Sequence, residues 1–232
     1  MDVNFNEIKH MFKLDPNKYI SDEDLEKICE SGTDCIIVGG TDNVKLDDVL
    51  NLLARVRRHV VPIILEISNL SSVTPGFDYY FIPVVLNSTE TKWVTGYHQQ
   101  AIKEFRHFIN WDNMLAEGYI MLNPESKAYQ YTQAKSCDDD DVVAYAEFAS
   151  KLLHLPFVYL EYSGTYGDTH LVKKVAEVLD DSLLIYGGGI NSKEKAQEMA
   201  EIADIIVVGN VIYEDLKAAL KTVRAVKRVD AK

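Results

Sequence analysis

The chain has 232 residues, 47% of them apolar and 26% charged, with a formal net charge of −12 at pH 7. That length suits one large domain or two small ones, and the apolar share is enough to fill a core, which excludes disorder by composition. A pI near 4.9 excludes non-specific nucleic-acid binding, which needs a basic surface to displace counterions, but leaves room for a local basic pocket around a phosphorylated ligand.

The polar start MDVNFNEIKH is not a signal peptide. Short apolar, β-branched runs then alternate with longer amphipathic segments. The strands expected in chain order are 11–15, 35–40, 62–68, 79–86, 117–122, 157–162, 183–189 and 204–210. Near-continuous apolar strands are buried on both faces, as in a parallel sheet. Helical patterns lie between them: SDEDLEKICESG, with Ser21 at the cap and Gly32 at the end, then KLDDVLNLLARVRRHV, YHQQAIKEFRHF, DDDVVAYAEFASKLLH, DTHLVKKVAEVLD, NSKEKAQEMAEI and VIYEDLKAALKTVRAV. Asn191 or Ser192 stands where the seventh helix needs its cap. Eight strands with helices between them, on a chain near ~250 residues, fit an α/β fold of the (β/α)8 TIM-barrel type, with an open doubly wound sheet as the competitor. One unit is irregular: residues 69–78 (NLSSVTPGFD) are too short and too rich in turn formers for a helix. No linker divides residues 1–232, so a single barrel domain is expected.

The longest apolar run, YYFIPVVL from Tyr79, is far short of the ~20 residues of a membrane helix. Cys29, Cys35 and Cys137 are scattered, with no C-x-x-C pair, which excludes a disulfide framework and a zinc knuckle. The histidines show no ligand spacing, and no P-loop or G-x-S-x-G elbow occurs. A soluble, cytoplasmic protein is the expectation.

Strand side chains alternate between the barrel interior and the helices. In MFKLD the apolar pair Phe12 and Leu14 must face the helices, so Lys13 and Asp15 point inward. The same parity groups Ile64, Glu66 and Ser68, and groups Tyr159, Glu161 and Ser163. Three strands therefore send carboxylates inward near their C-terminal ends, the rim where barrel active sites lie. Such charges need a partner, a metal or a wet mouth; at its simplest, Lys13 is only the counter-charge of Glu66 or Glu161. Glycines mark the same rim: Gly187, Gly188 and Gly189 after strand seven, Gly209 with Asn210 after strand eight, and Ser163–Gly164 after strand six. Glycine lets backbone N–H groups approach an anion, and the loops after strands seven and eight are the usual phosphate site of this barrel. The turn GGTD brings Thr41 near Asp15, a pair that could hold a hard cation or be no more than a helix-capping turn. The run Asp138–Asp141 reads as a solvated helix start.

Taken together, FKLDP (12–16), VGGTD (38–42), LEISN (65–69), PGFDYYFIPVVLNS (75–88), YLEYSGTYGD (159–168), YGGGI (186–190) and IVVGN (206–210) resemble the PcrB family of heptaprenylglyceryl phosphate synthases, bacterial relatives of the archaeal geranylgeranylglyceryl phosphate synthases. The resemblance runs from about residue 10 to about residue 222 and leaves the N-terminal segment and the basic tail 227–232 outside it. It implies a modified TIM barrel with one degraded helix after the third strand. It also implies transfer of a polyprenyl group from its diphosphate to the 3-hydroxyl of sn-glycerol 1-phosphate. Carried over by motif, Lys13, Tyr159, Leu160, Glu161, Tyr162, Ser163, Gly164, Gly188, Gly189, Gly209 and Asn210 would form the glycerol-phosphate site, and Asp15 and Thr41 would hold Mg2+. Glu161 would accept the hydroxyl proton.

A prenyl tail needs apolar walls, for which Tyr80, Phe81, Val84, Tyr97, Ala101 and Phe105 are the candidates. Ala101 is small where the archaeal branch is expected to carry a bulky stop, which favours heptaprenyl over geranylgeranyl. A homodimer is implied by the resemblance, and transient contact with a membrane surface by the long-tailed donor; RVRRH (55–59) and the basic tail are the cationic patches available for it. The competing readings are a sugar-phosphate isomerase or lyase, and a phosphate-ligand sensor, on the same barrel.

Overall fold

The computed structural model describes residues 3–229. Eight parallel strands close into a barrel in sequence order: β1 (His10–Leu14), β2 (Cys35–Val38), β3 (Ile63–Glu66), β4 (Tyr79–Val85), β5 (Met114–Met121), β6 (Phe157–Glu161), β7 (Leu183–Gly187) and β8 (Ile205–Val208). Pairing of His10 with Ile206 and of Phe12 with Val208 joins the last strand to the first and excludes the open sheet. Around the barrel run α1 (Asp22–Cys29), α2 (Leu46–Val56), α3 (Tyr97–Phe105), α4 (Lys127–Tyr131), α5 (Asp139–Glu147), α6 (Thr169–Val178), α7 (Lys193–Ala200), α8 (Val211–Glu214) and α9 (Leu216–Lys227).

The helix starts follow from their caps. Ser21 accepts from the Asp24 N–H, Asp138 from Asp141 and Ser192 from Lys195, each satisfying a donor that the first helical turn leaves open. After β8 the expected single helix is two, because Asp215 leaves helical geometry (φ −147°) and its side chain starts α9 by accepting from Ala218. After β3 there is no helix, only a 3-10 turn at Leu70–Ser72, as the turn-forming residues of 69–78 require. β5 begins at Met114, earlier than its apolar run suggests, because Tyr80 to Val85 of β4 pair with Met114 to Tyr119 along the whole stretch.

Strand alternation divides the core into two layers. Phe12, Leu14, Ile36, Val38, Leu65, Val158 and Leu160 face the helices. Met11, Cys35, Ile37, Ile64, Phe81, Phe157, Ile185 and Ile205 fill the barrel interior. At the strand N-termini the interior is sealed by Phe5, from a 3-10 turn ahead of β1; its ring packs on Tyr79, Phe81 and Phe157 at 5.1, 6.0 and 5.3 Å. The segment outside the motif resemblance thus plugs the barrel floor. No helix among the described residues is long and apolar enough to cross a membrane. Of the basic tail, residues 230–232 lie outside the described residues.

Candidate active site

The C-terminal ends of the strands surround a cavity of about 540 Å³ whose walls include Lys13, Asp15, Thr41, Glu66, Tyr119, Tyr159 and Glu161. Lys13 from β1 is ion-paired to Oε2 of Glu66 from β3, so the simplest reading of Lys13 is part of the answer. Its ammonium also lies 3.4 Å from the Tyr119 hydroxyl and 5.9 Å from the centre of the Tyr159 ring. Tyr119 and Tyr159 stack with centroids 4.4 Å apart. The Tyr119 hydroxyl, from β5, reaches Oε2 of Glu161 at 2.9 Å and Oε1 of Glu66 at 3.3 Å.

Glu161, the last residue of β6, is fixed from both sides. Its Oε1 accepts from the backbone N–H (2.6 Å) and the hydroxyl (3.1 Å) of Ser163, whose φ of +36° is the left-handed turn that folds its N–H back onto the carboxylate. The rim beside it is built from Gly164, Gly188, Gly189, Gly209 and Asn210, all on the cavity wall. Gly188 and Gly189 have φ of +141° and +60°, and a Cβ on either would run into the backbone of Thr165 or Tyr166. Gly187 is different: its missing side chain leaves room for the Tyr159 ring.

The charges are unequal in kind. Burial works against the Lys13 charge, yet Glu66 and Glu161 hold it above the ordinary lysine range. Glu117, on β5 beneath Tyr119, is fully buried, and neither carboxyl oxygen has a hydrogen-bond partner. Burial, reinforced by Glu66, pushes its carboxyl well above the ordinary range and so favours its neutral form. The phenols of Tyr119 and Tyr159 are likewise pushed up, by burial first and then by Glu161 and Glu66.

The fold brings the glycerol-phosphate candidates together with two exceptions. Leu160 and Tyr162 face the helices and belong to the outer core layer, so only their backbone is near the rim. Asp15 lies just past the end of β1, its Oδ1 accepting from the Asn17 N–H, and faces Thr41 across the mouth. Among the described residues no three His, Cys, Asp or Glu side chains form a metal cage. What fits this pair is a hard cation that keeps water and substrate oxygens in its shell, as Mg2+ does.

The prenyl candidates scatter. Tyr80 is covered by the segment after β3, with its hydroxyl donating to Thr74 O at 3.1 Å, and Phe81 is sealed in the barrel floor; neither lines the cavity at the mouth. Val84 faces outward into a groove of about 670 Å³, shared with Val94, His98, Ile102 and Leu153. His98 fixes the neighbouring α3 to β4 by donating from Nε2 to Pro83 O at 2.9 Å. Tyr97 packs edge-on against Trp93, which lines the mouth, while Ala101 and Phe105 are half-buried farther along α3. The arginines of RVRRH close α2 at the barrel's floor end, where Arg55 bonds Asp22 and Arg57 bonds Asp78, so this patch points away from the mouth.

Sequence reasoning missed Glu117, Tyr119, Trp93 and Tyr131 as parts or neighbours of the site. The alternation in EGYIM carries the signal for the first two, since it places Glu117, Tyr119 and Met121 on one face. Nothing local marks the aromatic rim, where Trp93 meets Tyr131 at 5.1 Å.

A family model described as the PcrB family matches residues 3–227. This chain belongs to the PcrB family. PcrB relatives named heptaprenylglyceryl phosphate synthase include a Bacillus cytotoxicus protein, 61% identical over 94% of this chain and 96% of its own length, and a Bacillus cereus protein, 60% identical over the same shares. Among solved structures, (S)-3-O-geranylgeranylglyceryl phosphate synthase from Thermoplasma acidophilum, in complex with sn-glycerol-1-phosphate, superposes with a TM-score of 0.85 at 24% identity, covering 97% of this chain and 96% of that one. At that identity the likeness establishes the shared fold.

Proposed function

We propose that this PcrB protein is a polyprenylglyceryl phosphate synthase that moves a heptaprenyl group from its diphosphate to the 3-hydroxyl of sn-glycerol 1-phosphate and releases diphosphate. The observation that carries the reading is that Glu161, oriented by Ser163 and Tyr119, opens onto the same cavity as the glycine loops after β7 and β8. Full-length similarity to heptaprenylglyceryl phosphate synthases supports the heptaprenyl donor over the geranylgeranyl one.

In this reading the rim glycines and Asn210 hold the phosphate by backbone N–H and amide groups, with Lys13 as a cation on the same cavity wall. Anchoring the phosphate aims the hydroxyl at the reacting carbon, an orientation effect. Glu161 accepts the hydroxyl proton. Its Oε1 already takes two bonds from Ser163, so the free lone pair of Oε2 is the basic site. Asp15 and Thr41 would hold Mg2+, which when bound neutralises charge developing on the departing diphosphate. The outer groove at Val84 and α3 offers the tail an apolar bed, at ~0.8 kcal/mol per buried CH₂.

A sugar-phosphate isomerase or a sensor leaves that groove without a use. A homodimer and transient contact with a bilayer surface complete the reading. Exposed Phe108, Trp111 and Leu152 supply apolar surface that a second copy would cover, and sedimentation tests this.

The test is transfer of label from sn-glycerol 1-phosphate into organic solvent, with Mg2+ and either heptaprenyl or geranylgeranyl diphosphate, the sn-3 enantiomer serving as control. Transfer of the sn-1 form alone, faster with heptaprenyl, is expected. No transfer from either donor, despite tight glycerol-phosphate binding, would favour the sensor.

A further inference from the structure

Tyr119 occupies an unusual position for a phenol. Its hydroxyl is buried in the barrel interior between two carboxylates, 2.9 Å from Glu161 Oε2 and 3.3 Å from Glu66 Oε1. A phenol has one proton to donate and can satisfy only one of them at a time. Glu66 already has the Lys13 ammonium on its other oxygen, whereas Oε2 of Glu161 has no donor other than Tyr119 among the described residues. The resting arrangement therefore directs the phenol proton to Glu161. The other titratable groups facing this hydroxyl are Lys13 from β1, Glu117 from its own strand and Tyr159 from β6.

We infer that Tyr119 is a positioning residue whose hydroxyl switches its donated hydrogen bond from Glu161 to Glu66 as Glu161 takes up the substrate's proton. The inference rests on Glu161 being the base. When the hydroxyl oxygen of the acceptor forms its bond to the allylic carbon, the carbon–oxygen bond to diphosphate breaks and its electron pair leaves with the diphosphate. The acceptor's proton moves to Oε2 of Glu161, which turns from acceptor into donor. Rotation of the new O–H about its C–O bond turns it from the substrate side to the phenol oxygen, which then accepts from Glu161 while the phenol proton turns to Oε1 of Glu66. Both the charged and the protonated form of the base are thereby hydrogen-bonded in a site that a 3% exposed residue closes from below, and only the polarity of two hydrogen bonds changes.

Tyr119→Phe in the intact enzyme tests this. Removing a donor from the charged base disfavours that form, so the acidic limb of the kcat/KM profile is expected to move up by about one pH unit, and kcat to fall about tenfold. Glycerol-phosphate Kd, measured by calorimetry, is expected to stay within about twofold, since the phenol does not serve the phosphate loops. Difluorotyrosine at position 119 keeps the shape and strengthens the donor, and is expected to move the limb down; if the phenylalanine variant fails to fold, this replacement carries the test. A limb unmoved by the replacements that fold overturns the inference. If that occurs while Glu161→Gln is inactive, only the role of Tyr119 falls; if Glu161→Gln turns over like wild type, the reading of Glu161 as base falls with it.

Discussion

At the strand N-termini the barrel interior holds Phe5, Phe81 and Phe157, each pair of rings within 6.0 Å. A layer or two higher, the same strands put Lys13, Glu66, Glu117, Tyr119 and Glu161 into that interior. The floor is satisfied: apolar rings in contact, nothing left over. At the mouth the Lys13 ammonium sits among Glu66, Glu161 and Glu117, the last a buried acid without a hydrogen-bond partner, and Ser163 takes a left-handed backbone. A barrel that only had to be stable would repeat the floor. On the proposed function, the mouth stays polar because anionic substrates and a proton in transit need charges held in place, at a cost in stability borne by the packed half.

Substitutions separate the two halves. Phe157→Ala hollows the floor and is expected to lower stability by about 3–5 kcal/mol by denaturant unfolding, while the folded enzyme keeps its KM for glycerol phosphate. Lys13→Ala acts on both properties, because it leaves Glu66 without its ion-pair partner and removes a cation that lines the same cavity as the glycine loops. About 2 kcal/mol of stability is expected to go, less than the ~3–5 of a fully enclosed pair because water reaches this one through the mouth. Glycerol-phosphate affinity should fall at least tenfold by calorimetry. An unchanged Kd would move the phosphate away from Lys13.

Ala101→Trp sharpens the assignment of α3: with competing donors, product should shift from the heptaprenyl to the geranylgeranyl ether. An unaltered product ratio would remove this helix from the tail's path.

The smallest effect is the most diagnostic of the mouth's electrostatics. Glu117 holds its proton in the folded protein but titrates near 4.5 once unfolded, so the unfolded chain binds fewer protons above that pH and wild-type stability drifts down as pH rises. Glu117→Gln removes this drift. Its melting temperature relative to wild type should rise from pH 5 to pH 9, and a difference independent of pH would show Glu117 to be charged.

Much of this division is written in the alternation of single strands. Parity in MFKLD, PIILEIS and FVYLEYS puts Lys13, Glu66 and Glu161 inside, and the glycines after β7 and β8 mark the rim. The turn formers of 69–78 announce the absent helix. The same parity places Glu117 and Tyr119 inside, but Glu117 opens its apolar run, and only the pairing of β5 back to Met114 makes it a mid-strand residue beneath the mouth. Parity also separates Phe81 from Tyr80 and Val84, so the three could not form one wall. Phe5 was illegible: its three polar or charged neighbours in NFNEI carry no period, and its partners come from β4 and β6, far along the chain. Contacts of that range are set by closure of the barrel, not by local pattern.

The central claim is that the mouth works through Glu161. Glu161→Gln keeps the size and the hydrogen-bonding span of the side chain but not its basicity. Single-turnover transfer measured beside equilibrium binding of glycerol phosphate is predicted to fall by about 10²–10⁴-fold with binding retained. Turnover near that of wild type, with both substrates bound, would contradict the account.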